Sequence, residues 1–333
     1  MNIIYRISEH RAFLMALAIV IIVIYHFKCW VNGFPWYIGM VLQFGYLGVD
    51  LFFFLSGLGL GFSYEKNVIL NFYRNRAKRV LPSYFLYGNI LVLFMLSWGV
   101  EVSVGQVLYM FSLLGYIFDG LGTDWYVSSI LILYILFPVI YLLVKYFKEW
   151  LLFLLVPIVF ILSIKGDFLW THLAMIQRLP MFVLGVWCAI NRNESKRIIK
   201  VFILFIVFLL LLCGYALSVC GIKNFVSNNG CGLGFFFTDL LIPFLLLGMF
   251  NRYTYHYINQ TLSKLSNWGG QKMLAQNTLQ IYYGTNLAML SYNLFDAPRS
   301  IKAIVFMMSL IFGSYIFVWF TNQTNRFFSY IKE

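Results

Sequence analysis

From Trp125 to Phe147 the chain carries a single charged side chain, Lys145. A helix of about 20 apolar residues is what crosses the hydrocarbon core of a bilayer. Comparable apolar runs occur at residues 12–30, 41–63, 82–100, 150–164, 170–190, 201–219, 233–250, 273–293 and 302–321. In lipid the backbone must satisfy its own hydrogen bonds, so runs of this kind confine the chain to a helical bundle. The expected fold is all-α: a polytopic transmembrane bundle of ten spans, one domain over residues 1–333. Residues 107–118 are apolar but short and read as a re-entrant or interfacial piece. Charged residues make up 11% of the chain, against about 25% in soluble proteins, and no segment resembles a soluble domain. The first apolar run is long and lacks a small-residue cleavage site, so it reads as a span and not as a signal peptide.

A net charge of +12 invites a nucleic-acid reading. No basic face with interleaved aromatics exists outside the loops, however, and the cytoplasmic loops of membrane proteins collect Lys and Arg. With the N-terminus inside and ten alternating spans, every Lys and Arg falls on the inner side except Lys28, Lys165, Arg178, Lys223, Arg299 and Lys302. Both termini are therefore expected in the cytoplasm, with membrane lipid and not nucleic acid around the chain. The cysteines have no metal-binding spacing. Cys29, Cys188 and Cys213 read as core residues, and Cys220 and Cys231 flank one loop where a disulfide is conceivable.

Within this apolar background a few polar residues stand out. Asp50 lies in the run Gly48-Val49-Asp50-Leu51-Phe52-Phe53-Phe54-Leu55-Ser56-Gly57. A carboxylate at membrane depth costs several kcal/mol unless paired or wetted, so it marks function by default. His26 is the histidine inside a span interior, and a carboxylate such as Asp50 can orient an imidazole and stabilise its protonated form. A basic hairpin over 65–81 follows, with Arg74, Arg76, Lys78 and Arg79 leading into Pro82, which suits a helix start. Arg76 and Arg79 share a helix face, and two guanidiniums there make a phosphate clamp. Asp124 and Trp125 open a span at the outer surface. Arg178 lies centrally in the run 170–190, where it needs an anion or a wet cavity, with Asp239 a possible partner. Asn286 and Gln280 read as interhelical hydrogen-bonding residues. No phosphate-binding glycine loop, nucleophile elbow or zinc motif is present.

These blocks, taken in order, resemble the acyltransferase-3 family of integral-membrane O-acyltransferases. Residues 19–26, ending Ile24-Tyr25-His26, resemble the family's first helix and its key histidine. The run from Gly48 to Gly57 resembles its most recognisable block, and Arg76-Ala77-Lys78-Arg79 fits its Arg-x-x-Arg. Trp125…Tyr134…Pro138 and Arg178…Phe182…Gly185 match weaker blocks. Two positions depart: Met15 stands where the family carries a basic residue eleven before the histidine, and Thr285 stands where a late histidine is usual.

The resemblance implies a bacterial inner-membrane enzyme that moves an acyl group, acetyl foremost, from cytoplasmic acyl-CoA to a hydroxyl of a surface glycan or its lipid-linked precursor. It implies no resident cofactor and no metal. His26 is then the general base with Asp50 beside it. Arg74, Arg76 and Arg79 hold the donor phosphates, and Arg178, Asp124 and Trp125 serve the acceptor side. Two other readings compete: a transporter or flippase of lipid-linked sugars, which predicts pseudo-symmetric broken helices, and an inactive relative, suggested by Met15 and Thr285.

Overall fold

The computed structural model describes residues 2–30, 35, 38, 42, 44–66, 68–120, 124–164, 170–227, 233–250, 252–267, 269–294 and 298–330. Most of the described residues are helical, with no strand among them. In order the helices are α1 (Ile3–Glu9), α2 (Arg11–Trp30), α3 (Leu47–Lys66), α4 (Ile69–Ser97), α5 (Val104–Phe111), α6 (Leu114–Asp119), α7 (Trp125–Phe147) and α8 (Trp150–Ile164). They continue as α9 (Trp170–Ile176), α10 (Leu179–Ile190), α11 (Ser195–Ser227), α12 (Leu233–Phe250), α13 (Arg252–Asn267), α14 (Gly269–Gln276), α15 (Thr278–Leu294) and α16 (Arg299–Tyr330).

Six stretches among the described residues are long and apolar enough to cross a membrane: Arg11–Lys28, Leu47–Lys66, Ile69–Ser97, Trp125–Phe147, Ser195–Tyr215 and Ser300–Phe328. Shorter apolar helices occupy Trp150–Ser163, Ala174–Ile190 and Leu241–Phe250. Among the described residues, helices of full crossing length thus account for six of the ten expected spans.

Two local expectations are corrected and one is given its detail. The basic stretch is no hairpin: α4 runs through it unbroken, with Pro82 inside. Proline removes one helical hydrogen bond, and the continuous helix tolerates that loss. The short apolar piece is two helices, α5 and α6, separated at Leu113, whose backbone is left-handed at φ 67°. The run 170–190 is broken at Gln177–Arg178. Pro180, in the first turn of α10, has no N–H to continue the ladder of α9, so the helix restarts there. Cys188 and Cys213 are buried, as expected of core residues. The side chains of Cys29, Cys220, Cys231 and Asp239, and the turn at Gly33-Phe34-Pro35-Trp36 apart from Pro35, lie outside those described.

Contacts divide the chain into two compact units. The first takes residues 1–18, 46–66 and 136–275, and the second takes 19–45, 67–135 and 276–333.

In the first unit α3 packs on α10 with almost no side chain between them. A methyl group on Gly57 would strike the carbonyl of Phe182, and one on Gly185 would strike the carbonyl of Phe54. Small residues at a helix crossing allow this approach in a membrane, where association relies on close packing and not on the hydrophobic effect. Phe53, Phe54, Phe182 and Trp187 are fully buried around the crossing. One end of this unit is held by polar links. Arg192 pairs with Glu65, Arg197 with Glu149 at 2.7 Å, Tyr5 donates to Asn193 at 3.0 Å and Arg6 to the carbonyl of Phe250 at 3.0 Å. The N-terminus, the end of α3, the start of α8, the α10–α11 turn and the end of α12 therefore meet at one end. All of them belong to the segments expected on one side of the membrane from the charge distribution.

In the second unit α15 lies along α16, with Gly284 against Ser314. Ala288, Phe306 and Leu310 form a buried cluster on which Val23 and Phe27 of α2 and Ile281 pack. Tyr283 stacks between Tyr87 of α4, at 4.7 Å, and Phe317 of α16, at 5.2 Å.

Candidate active site

The singled-out residues fall into four groups. In the second unit, His26 sits on α2 between Val23 and Phe27, the two residues that dock on α15 and α16. Residues three and four apart share a helix face, so the half-buried imidazole lies at the margin of that docking face. Its ring meets Tyr25 edge-on at 5.4 Å. Thr285, at the position of the family's late histidine, is fully buried on α15, and its hydroxyl donates to the carbonyl of Ile281 at 2.9 Å.

Further along α15, a cavity of about 500 Å³ opens beside the basic turns of α4. Lys78 and Arg79 line it together with Asn75, Asn277, Asn322 and Asn325. Its floor is a polar cluster: Ser83 and Thr321 share a hydrogen bond of 2.9 Å, and Gln280 reaches both at 3.4 Å. Arg76 lies one turn before Arg79, over the ring of Phe72 at 5.6 Å, and its Nε is buried with no hydrogen-bond partner among the described residues. A guanidinium with an unused donor, cations on the next turn and a rim of amides form a surface suited to phosphate.

Asp124 completes this unit. It is half-buried just before α7, and Oδ1 accepts from the Val127 N–H at 3.0 Å, as a helix cap does. Oδ2 accepts from the Tyr282 hydroxyl and the Asn286 amide, each at 2.9 Å. Burial pushes the Asp124 carboxyl up, against the pull of these hydrogen bonds. Trp125 is half-buried beside it, and the rings of Tyr126 and Tyr282 meet at 5.0 Å. Asn286 and Gln280 thus form the interhelical hydrogen bonds expected of them.

Asp50 and Arg178 belong to the first unit, and they are partners. Arg178 Nε lies 3.2 Å from Asp50 Oδ1, with both side chains almost wholly buried. Asp50 sits in the first turn of α3, where the helix dipole favours a carboxylate. Arg178 stands at the break before α10, and its guanidinium also donates to the carbonyl of Ala174 at 2.7 Å. That carbonyl would otherwise lack a partner, because the Arg178 N–H bonds Met175 instead. The expectation that Arg178 needs an anion is thus met by Asp50 within the fold. The expected companion of Asp50, His26, belongs to the other unit. Arg11 donates from Nε to the carbonyl of Leu55 at 3.3 Å, and Met15 is buried. Among the described residues no three His, Cys, Asp or Glu side chains gather as metal ligands do.

Residues 13–322, nearly the whole chain, match the family model described as an acyltransferase domain, that of the acyltransferase-3 family. The chain belongs to the acyltransferase-3 family. Membership makes it a membrane acyltransferase. No curated protein and no solved structure matches it. The matched residues include His26, Asp50, Arg76, Arg79, Asp124 and Arg178.

Sequence reasoning missed two relationships. The pairing of Asp50 with Arg178 joins residues more than a hundred positions apart, for which a single sequence carries no signal. Tyr282, as the second anchor of Asp124, was hidden in the aromatic run Tyr282-Tyr283.

Proposed function

We propose that the protein transfers an acetyl group from acetyl-CoA, bound at the cytoplasmic face, to a hydroxyl of a glycan or its lipid-linked precursor in the bacterial inner membrane. The cavity beside α4 carries this reading. It is about 500 Å³ in volume, lies next to Lys78 and Arg79, and borders α15, the helix that also packs against the His26 segment. Arg76 and Arg79, with Arg74 nearby, take the donor phosphates. His26 removes the proton from the sugar hydroxyl as its oxygen attacks the thioester carbonyl. The carbon–sulfur bond breaks, and the imidazolium returns the proton to the leaving thiolate. Asp124, braced by Tyr282 and Asn286, and Trp125 offer the carboxylate and aromatic surface that sugars bind. Asp50, paired with Arg178, holds the start of α3 to the break before α10.

The test uses acetyl-CoA labelled in the acetyl group, added to membranes carrying wild-type protein or His26→Ala. Base-labile label should appear in the glycan fraction with wild type and be absent with His26→Ala, while purified His26→Ala binds acetyl-CoA as wild type does. Wild-type transfer by His26→Ala removes the proposed base. No transfer by wild type with any acyl-CoA moves the protein to the transporter or inactive reading.

A further inference from the structure

A second cavity, of about 420 Å³, is lined wholly by residues of the first unit. Arg6, Tyr253, Tyr255, His256, Tyr257 and Asn259 line it. Arg6 is 8% exposed, and its Nε–H has no partner among the described residues. A buried donor left unmade is costly, and an arginine that far out of water is held for an anion or a fixed acceptor. One fixed acceptor exists: the guanidinium donates to the Phe250 carbonyl at 3.0 Å. It also lies over the Tyr255 ring at 4.8 Å, which aims it. The neighbouring carboxylate, Glu9, is engaged by the Tyr255 hydroxyl at 3.2 Å, and His10 contacts the same hydroxyl at 3.1 Å. Three of the lining residues, Tyr253, Tyr255 and His256, belong to the first turns of α13, where the helix dipole favours negative charge.

The surroundings identify the class of ligand. Helix α13 follows directly on the apolar α12, is polar and amphipathic, and exposes Tyr253 and Tyr257 at 81% each, one turn apart. Tyrosines with a wet hydroxyl and an apolar ring concentrate at headgroup level, and amphipathic helices of this composition lie in the interface plane. We propose that this cavity binds the phosphate of an anionic lipid headgroup, with Arg6 as the principal donor. The shared chemistry is a phosphate group, and the experiment separates a lipid from a soluble source.

Purified full-length protein in phosphatidylcholine nanodiscs would be titrated with phosphatidylglycerol, and separately in detergent with adenosine 3′,5′-bisphosphate. Retained ligand is read by native mass spectrometry for wild type, Arg6→Gln and Lys264→Gln. Phosphatidylglycerol retention should fall about tenfold or more in Arg6→Gln and stay unchanged in Lys264→Gln. If Arg6→Gln does not fold, Asn259→Trp crowds the cavity and leaves the Arg6–Phe250 bond in place, and it should show the same loss. A loss of bisphosphate binding alone keeps the phosphate site and overturns the lipid as its source. Equal retention of both probes by wild type and the folded cavity variant overturns the site.

Discussion

Asp50 and Arg178 face each other across 3.2 Å in a place water does not reach, each at an end of a helix that the other helps to hold. Removing one partner of such a pair strands a buried charge and costs about 3–5 kcal/mol, whereas replacing both often costs little. Asp50→Leu and Arg178→Met should each lower the melting temperature of the purified protein sharply, and the double variant should recover much of the loss. Additive losses would mean that the two charges act independently.

Asp124 accepts two side-chain donors at one oxygen. Asp124→Asn can point an amide at the Asn286 amide, setting donor against donor, with an expected cost of about 1–3 kcal/mol. Adding Asn286→Asp restores a donor–acceptor pair and should return most of the stability. Thermal unfolding of the single and double variants reads this directly, and a double variant no better than Asp124→Asn would remove the pairing.

Donor binding should depend on the two arginines of α4. Arg76→Ala and Arg79→Ala each remove a charged hydrogen-bond donor to phosphate, a loss of about 1.5–3 kcal/mol. Acetyl-CoA affinity, measured by calorimetry, should fall for both and hold for Lys66→Ala, an exposed residue at the end of α3. Unchanged affinity in both would return these arginines to topology alone.

The Glu149–Arg197 link sets a pH dependence. Burial pushes the Glu149 carboxyl up, but its backbone hydrogen bond and Arg197 outweigh that and hold it below the usual carboxylate range. A carboxyl lowered in the folded state lends stability that is present above its unfolded value, about 4.3, and is lost as pH falls through the folded value. Glu149→Gln should therefore narrow the stability difference between pH 7 and pH 3. An unchanged pH profile would show that the link carries no net stability.

Much of this architecture was legible in the apolar runs. The run 125–147 became α7 and the run 150–164 became α8, residue for residue, because membrane length and backbone satisfaction leave little choice. The break at Gln177–Arg178 was also written in the chain, in Pro180, but an unbroken hydrophobic pattern outweighed it in the reading. The basic turns of α4 misled in the opposite sense, since charge and proline suggested a loop where the helix simply emerges from the apolar layer. The partners of the buried charges were not legible. Which carboxylate meets which arginine depends on helix rotation and register, and a single sequence does not encode these locally.

Gly57 and Gly185 supply a further comparison. A methyl group at either meets backbone of the facing helix, whereas one at Gly248 meets nothing within 4 Å. Gly57→Ala and Gly185→Ala should abolish or severely reduce folded yield, and Gly248→Ala, at an exposed helical position, should be neutral or gain up to about 1 kcal/mol. Folded yield by size-exclusion profile separates the outcomes, and a well-folded Gly185→Ala would show that the helices can part.

That crossing has a mechanical meaning. Helices that touch through side chains can slide, because rotamers change and the contact layer yields. Backbone against backbone has no such layer, so α3 and α10 move as one rigid strut. A displacement at the Asp50–Arg178 end therefore reaches Glu65 and Arg192 at the other end with little loss. Any conformational cycle of this unit must carry the two helices together, and probes placed on them should report a single motion.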